Sequence, residues 1–179
     1  MKRLALSFIV LMSILGIVYA ANDTASHQVT MNVLEVVIID LNDTSTVTLQ
    51  TNAPAVGGDP VTGDTDSSKR LQYTSLVPAG QSRRITANWG VADSAPAGTS
   101  LRVEITAING VAGNCGTAAG QITLSNVAQN IITGIGSCRT GTGANGATVT
   151  YTFSIDDVSQ LEVGDSRTVT VTFTLTDAS

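Results

Sequence analysis

The two cysteines, Cys115 and Cys138, are the residues whose chemistry this sequence defines best. They follow an N-terminal stretch with the features of an export signal, and oxidising compartments preserve disulfides, so the pair is expected to be bridged. The bridge would close a loop of about 22 residues, worth on the order of 3 kcal/mol in the chain-entropy treatment. Nucleophilic catalysis needs an oriented imidazole in a buried site, whereas the sole histidine, His27, stands in a polar lead from Ala21 to His27. Ser-His-Asp and Cys-His machinery are therefore nearly excluded. A histidine-rich zinc site falls for the same reason, and two cysteines with one histidine match no structural zinc spacing.

Carboxylates are the remaining candidates. Asp59, Asp64 and Asp66 lie in a polar, Gly/Pro-rich stretch at 52–68 and carry the oxygen ligands that calcium prefers. The run from Asp64 has Lys69 where a calcium loop needs glycine and Ser75 where it needs glutamate, so a solvated loop is the better reading. Asp156-Asp157 resembles half of a glycosidase pair, but adjacent residues at a strand end point to opposite sides and no partner carboxylate is identifiable. A polar cap on a turn is expected there. Gly134-Ile135-Gly136 and Thr140-Gly141-Thr142-Gly143 complete neither a dinucleotide nor a phosphate loop, and their glycines are expected to allow tight turns beside the disulfide. Trp89 and Tyr73 either stack on a sugar ring, if exposed, or pack in the core. Asn22-Asp23-Thr24 and Asn42-Asp43-Thr44 match the N-glycosylation pattern, which is uninformative without the host. No catalytic, cofactor-binding or metal-ligating residue is assigned, and the chain is not expected to be an enzyme.

The elements that hold these residues belong to an exported domain. Lys2 and Arg3 precede an apolar core from Leu4 to Val18, and Val18-Tyr19-Ala20 supplies small residues before a cleavage placed after Ala20. This apolar run is short for a membrane anchor and lacks the charge cluster of a stop-transfer helix. No second stretch of comparable hydrophobicity follows, so residues 21–179 are expected to be one domain of 159 residues, secreted or on the cell surface, without a membrane span. Seven basic against fourteen acidic residues remain there, a net charge of −7, which leaves no basic patch for nucleic acid. Lys69 is the only lysine, and five aromatics remain: Tyr73, Trp89, Tyr151, Phe153 and Phe173. Thr, Val, Ile and Gly dominate, a composition that favours pleated strands over helices.

Val29, Met31 and Val33 alternate with polar residues, the period-2 signature of a strand with one buried face, and Val36 to Ile39 is apolar on both faces. A second strand is expected at Val47 and Leu49, then, after the long loop at 52–68, strands at Arg70 to Val77, Arg83 to Trp89 and Leu101 to Ile108. Pro78-Ala79-Gly80 and Ala95-Pro96-Ala97-Gly98 punctuate them. Gln121 to Ser125 reads as a short strand, while Asn126 to Thr133 fits either a helical turn or a strand. Val149 to Ile155 alternates cleanly, Asp156 to Gly164 is a connection with room for a helical turn, and Val169, Val171, Phe173 and Leu175 alternate with threonines in a last strand. Short strands at regular intervals, with no repeat or linker, suggest a sandwich or barrel. The expected fold is all-β: a single immunoglobulin-like sandwich of about seven to nine antiparallel strands with one disulfide.

The segment Ala128 to Gly143, Ala-Gln-Asn-Ile-Ile-Thr-Gly-Ile-Gly-Ser-Cys-Arg-Thr-Gly-Thr-Gly, resembles a group of short secreted proteins of Bacteroidota, mostly without assigned function. The early strand Val29 to Leu41 and the closing Thr-Val-Thr-Val-Thr-Phe-Thr-Leu-Thr are similar too, so the resemblance covers most of the mature chain. It implies an exported bacterial β-sandwich. More distantly, the layout is similar to fimbrial subunits and spore-coat-like secreted sandwiches, a resemblance that implies assembly by strand exchange between subunits. On that basis the chain is expected to be a structural or adhesive subunit of an extracellular pilus, filament or matrix. It would associate with itself or with other surface proteins by β-augmentation, with Val29, Met31 and Val33 in the candidate donor strand and Arg167 to Thr176 as neighbour or acceptor edge. Two alternatives stand beside it: the first strand pairs within its own sheet, or the domain is a non-catalytic binding module for a glycan or a surface protein.

Overall fold

Strands form where β-branched residues alternate with threonine and serine, because such residues suit a pleat with one face buried. A computed structural model describes residues 24–178, and the leader expected over residues 1–20 lies outside them. The chain divides between Asn32 and Val33, and every strand belongs to the second unit. In chain order these are β1 (Val36–Leu41), β2 (Thr51–Asn52), β3 (Thr62–Gly63), β4 (Thr65–Leu76), β5 (Arg83–Trp89), β6 (Thr99–Asn109), β7 (Ala112–Ala118), β8 (Ile122–Thr123), β9 (Gln129–Arg139), β10 (Gly146–Ile155) and β11 (Val171–Asp177). A 3₁₀ turn at Val158–Gln160 fills the connection that had room for one.

The fold is all-β and antiparallel. Nine strands form one continuous sheet in the order β11-β5-β9-β4-β10-β6-β8, with β1 added to β4 and β7 to β9, while β2 and β3 pair separately. The sheet changes direction at β4 and β9. The first half of β4 pairs with β10, from Thr65↔Thr152 to Leu71↔Ala147. Its end pairs with β9 through Thr74↔Arg139 and Ser75↔Cys138, and β5 then continues along β9 from Arg83↔Ile135 to Ala87↔Gln129. Both halves turn apolar residues into one core. Leu71, Tyr73, Val103 and Val149 come from one side, and Ile85, Ile132, Ile135 and Leu175 from the other. This gives a sandwich-like arrangement stitched at one corner.

Several elements depart from the expectations. Residues 24–35 carry no strand pairing, so the first strand begins at Val36 rather than Val29. Val47 and Leu49 pack half-buried against the core, but their backbone joins no ladder among the described residues. Thr65 to Ser68, expected in the long loop, opens β4, because Ser67 Oγ finds Thr150 Oγ1 at 3.0 Å and polar residues are thereby satisfied on the ladder with β10. The ambiguous stretch before Cys138 is strand. Ile85 opposes Ile132 and Thr86 opposes Asn130, so Ile131 is the extra residue of a bulge, and both isoleucines are fully buried. Ala112 to Ala118 was not anticipated as a strand. It forms because small residues permit close approach: Gly113 has φ +87°, and a Cβ there would collide with the Ser137 carbonyl.

The position that binds the corner together is Arg83. It continues the inward series Arg83, Ile85, Ala87 and is only 1% exposed. Its Nη1 donates to the carbonyls of Val36 at 2.8 Å and Leu76 at 3.2 Å and to Ser75 Oγ at 3.1 Å. Nη2 donates to the Glu35 carboxylate, and Nε to Asp177 Oδ1 at 3.1 Å. One guanidinium thus joins β4, β5, the entry of β1 and the end of β11, and its planar fork is what reaches them all. Replacing Arg83 with Met is expected to lower unfolding free energy in urea by about 3 kcal/mol, with Lys recovering less than half of the loss. An unchanged urea midpoint in Arg83→Met would show that the anchor is dispensable.

Candidate functional site

The candidate assembly residues occupy a segment whose backbone has no ladder. Val29 is 67% exposed, Met31 87% and Val33 89%, and Leu34, Val37 and Ile38 continue the exposed apolar run into β1. Scattered exposed hydrophobics are ordinary, but alternate apolar residues on an unpaired backbone, as at Val29, Met31 and Val33, form a template for pairing with another chain. The run Val36 to Ile39, apolar on both faces, is only partly covered. Ile39 and Leu41 pack against the core, whereas Val37 and Ile38 stay exposed. The anticipated acceptor edge is β11. Among the described residues it pairs only with β5, in the register Val171↔Trp89 to Asp177↔Arg83, and it turns Val171, Phe173 and Leu175 inward. Its outward Thr174 and Thr176 join Arg84, Thr86 and Asn130 around a shallow groove that contains no acid–base pair.

Cys115 and Cys138 are bridged, with Cα atoms 5.3 Å apart. The bridge links β7 to β9 beside a bulge where Gly113 opposes Cys138 and Cys115 opposes Ile135. Tyr73, 2% exposed, supports it from β4: its hydroxyl donates to the Cys115 carbonyl at 2.7 Å. Burial pushes the Tyr73 phenol well above its ordinary range and raises that of Tyr151 to about 12, with Asp66 adding a smaller like-signed effect on Tyr151. Tyr73 is therefore core, and Trp89 packs half-buried against the same cluster, which resolves the open choice against a free aromatic face. The glycines beside the bridge serve strand approach as much as turns.

The remaining sequence candidates do not converge. Asp64 accepts from Asn52 Nδ2 at 2.6 Å and the Gln50 amide at 3.2 Å, while Asp66 accepts from the Ser68 amide and hydroxyl. Asp59 lies apart and exposed, and among the described residues no cluster of three or more metal-ligating side chains occurs. Asp156 pairs with Arg102 at 3.2 Å. Asp157 caps the 3₁₀ turn, and bonds from Ser159 and then Gln160 hold its carboxyl below the usual range. Asn42 is built into the β1–β4 ladder, accepting from the Arg70 amide at 2.6 Å. His27 is exposed.

Two polar anchors were missed in the sequence. Arg83 is one. The other is Lys69, 5% exposed, whose Nζ donates to Asp43 Oδ2 at 2.7 Å and Ser45 Oγ at 2.9 Å. Both share the inward parity of their strands, with Leu71 and Tyr73 following Lys69 and Ile85 following Arg83, and that parity was the available signal. No helix among the described residues is long and apolar enough to cross a membrane. Neither a family model, nor a curated protein, nor a solved structure matches this chain.

Two outcomes follow from these anchors. Replacing both Cys115 and Cys138 with Ser is expected to lower stability by about 3 kcal/mol with the strand content retained by circular dichroism; no shift of the urea midpoint would mean that the β7–β9 ladder suffices alone. The bond from Lys69, reinforced by Ser45, holds the Asp43 carboxyl well below its ordinary value of 3.8. A lowered folded-state pKa gives stability that is present above the unfolded value and is lost as the pH falls from that value through the folded-state one. Urea midpoints are therefore expected to drop between about pH 4 and pH 2, with a shallower drop in Asp43→Asn; equal slopes in the two proteins would remove Asp43 from the acid response.

Proposed function

We propose that this chain is an exported structural or adhesive subunit of an extracellular surface assembly of pilus, filament or matrix type, built by donation of an extended strand from one subunit to the sheet of the next. The observation that carries this reading is the exposed, unpaired series Val29, Met31, Val33. Burying side chains of this size on a neighbouring sheet stabilises by about 1.5–3 kcal/mol each, before the entropy of ordering the segment is subtracted. Main-chain hydrogen bonds supply the rest of the affinity, and the period of two sets the register. The disulfide suits a subunit that works in an oxidising compartment, as does the export signal read at residues 1–20.

The decisive measurement is the mass of the mature chain, residues 21–179, by light scattering coupled to size exclusion. Three proteins are compared: that chain, a version beginning at Leu34, and the full-length mature variant Met31→Asp/Val33→Asp. Oligomers or fibres of the first and folded monomers of the other two are expected. Monomers of all three would overturn the proposal and turn attention to glycan binding by a monomeric domain.

A further inference from the structure

Residues 29–35 and β11 carry the same pattern. Written in parallel, the sequences Val29-Thr30-Met31-Asn32-Val33-Leu34-Glu35 and Val171-Thr172-Phe173-Thr174-Leu175-Thr176-Asp177 have apolar residues at the same alternate positions, threonine at the second place and an acid at the last. Alternation alone is common to strands. The acid is a separate, structural observation: Glu35 and Asp177 both bond to Arg83, the residue that faces the end of β11. We infer that residues 29–35 of one copy take the place of β11 on the β5 edge of a second copy, with Glu35 in the position of Asp177 on Arg83.

This rests on the strand-donation reading and specifies its acceptor. In the register of β11, Glu35 opposes Arg83, Val33 opposes Ile85, Met31 opposes Ala87 and Val29 opposes Trp89, where Asp177, Leu175, Phe173 and Val171 stand now. Each exchange keeps an apolar side chain inward: Val for Leu, Met for Phe, Val for Val. Methionine is flexible enough to fill a space shaped for a ring. The arginine already holds one carboxylate of each kind, so its geometry admits either. Strand β11 lies at an end of the sheet, and among the described residues its ladder is with β5 alone, so its displacement breaks one ladder. Donor and acceptor are different surfaces of the same chain, so the contact is head-to-tail and propagates instead of closing on itself as a two-fold dimer does.

Single-cysteine chains test the register. Asn32 matches Thr174, which opposes Thr86. Full mature chains carrying Asn32→Cys are mixed with chains carrying Thr86→Cys or Thr174→Cys, assembled, and oxidised mildly. Exchange predicts a covalent dimer of Asn32→Cys with Thr86→Cys, because directly opposed Cβ atoms lie about 5 Å apart. A donor laid outside an undisturbed β11 instead brings Asn32 beside Thr174 and leaves it about 10 Å from Thr86. Linkage to Thr174→Cys alone, or to neither while assemblies persist by light scattering, overturns the exchange at β5 and leaves strand donation in force elsewhere. Monomers throughout, with no linkage, overturn both.

Discussion

The structure depends on a buried guanidinium having somewhere to send its hydrogen bonds. Arg83 occupies an inward position of β5, where an unpaired charge is not tolerable. Its acceptors come from Ser75 and Leu76 at the end of β4, from Glu35 and Val36 before and at the start of β1, and from Asp177 at the end of β11. β1 is laddered to β4 and β11 to β5, and no hydrogen-bonded ladder joins β1 to β11. The charge is therefore what makes the two ends arrive at one point, and it does so where the sheet passes from one half of the sandwich to the other.

Elsewhere the same accounting governs the outer surface. Thr150 lies in the middle of β10, at the irregularity in its register with β4 and just beyond the one with β6. Its hydroxyl meets Ser67 on one side and Thr106 on the other, each at 3.0 Å, so a polar side chain that is 7% exposed is satisfied across three strands. A bulge disturbs the ladder, and here side-chain hydroxyls restore some of what the backbone gives up.

How far the sequence foretold this differs from element to element. Strand β5 is found at the expected Arg83 to Trp89, and β4, β6, β10 and β11 lie within a few residues of their expected spans, because alternation there is uninterrupted. Asn126 to Thr133 stayed open between helical turn and strand, because Val127, Asn130 and Ile131 fall at helical spacing and the bulge at Ile131 interrupts the alternation of β9. β7 was missed because its glycines and alanines carry no strand preference and are selected by the nearness of β9. Thr65 to Ser68 looked like loop because its residues are polar, yet hydroxyls pair across a ladder as well as they face water. Of the candidate site, the cysteine pairing was legible from the number of cysteines, whereas Val29, Met31 and Val33, whose period reads as a strand with one buried face, stand exposed on an unpaired backbone. The acid that ends that series gained meaning only beside Arg83, a contact that local spacing cannot encode.

Lys69 has a consequence beyond its ion pair. It is the sole lysine among the described residues, and its ammonium is buried against Asp43 and Ser45. Reagents and enzymes that act on lysine amines, whether acylating agents, reducing sugars, amide-forming cross-linkers or lysine-directed proteases, meet no accessible ε-amine on the folded surface described here. Covalent modification of that folded surface has to draw on other side chains.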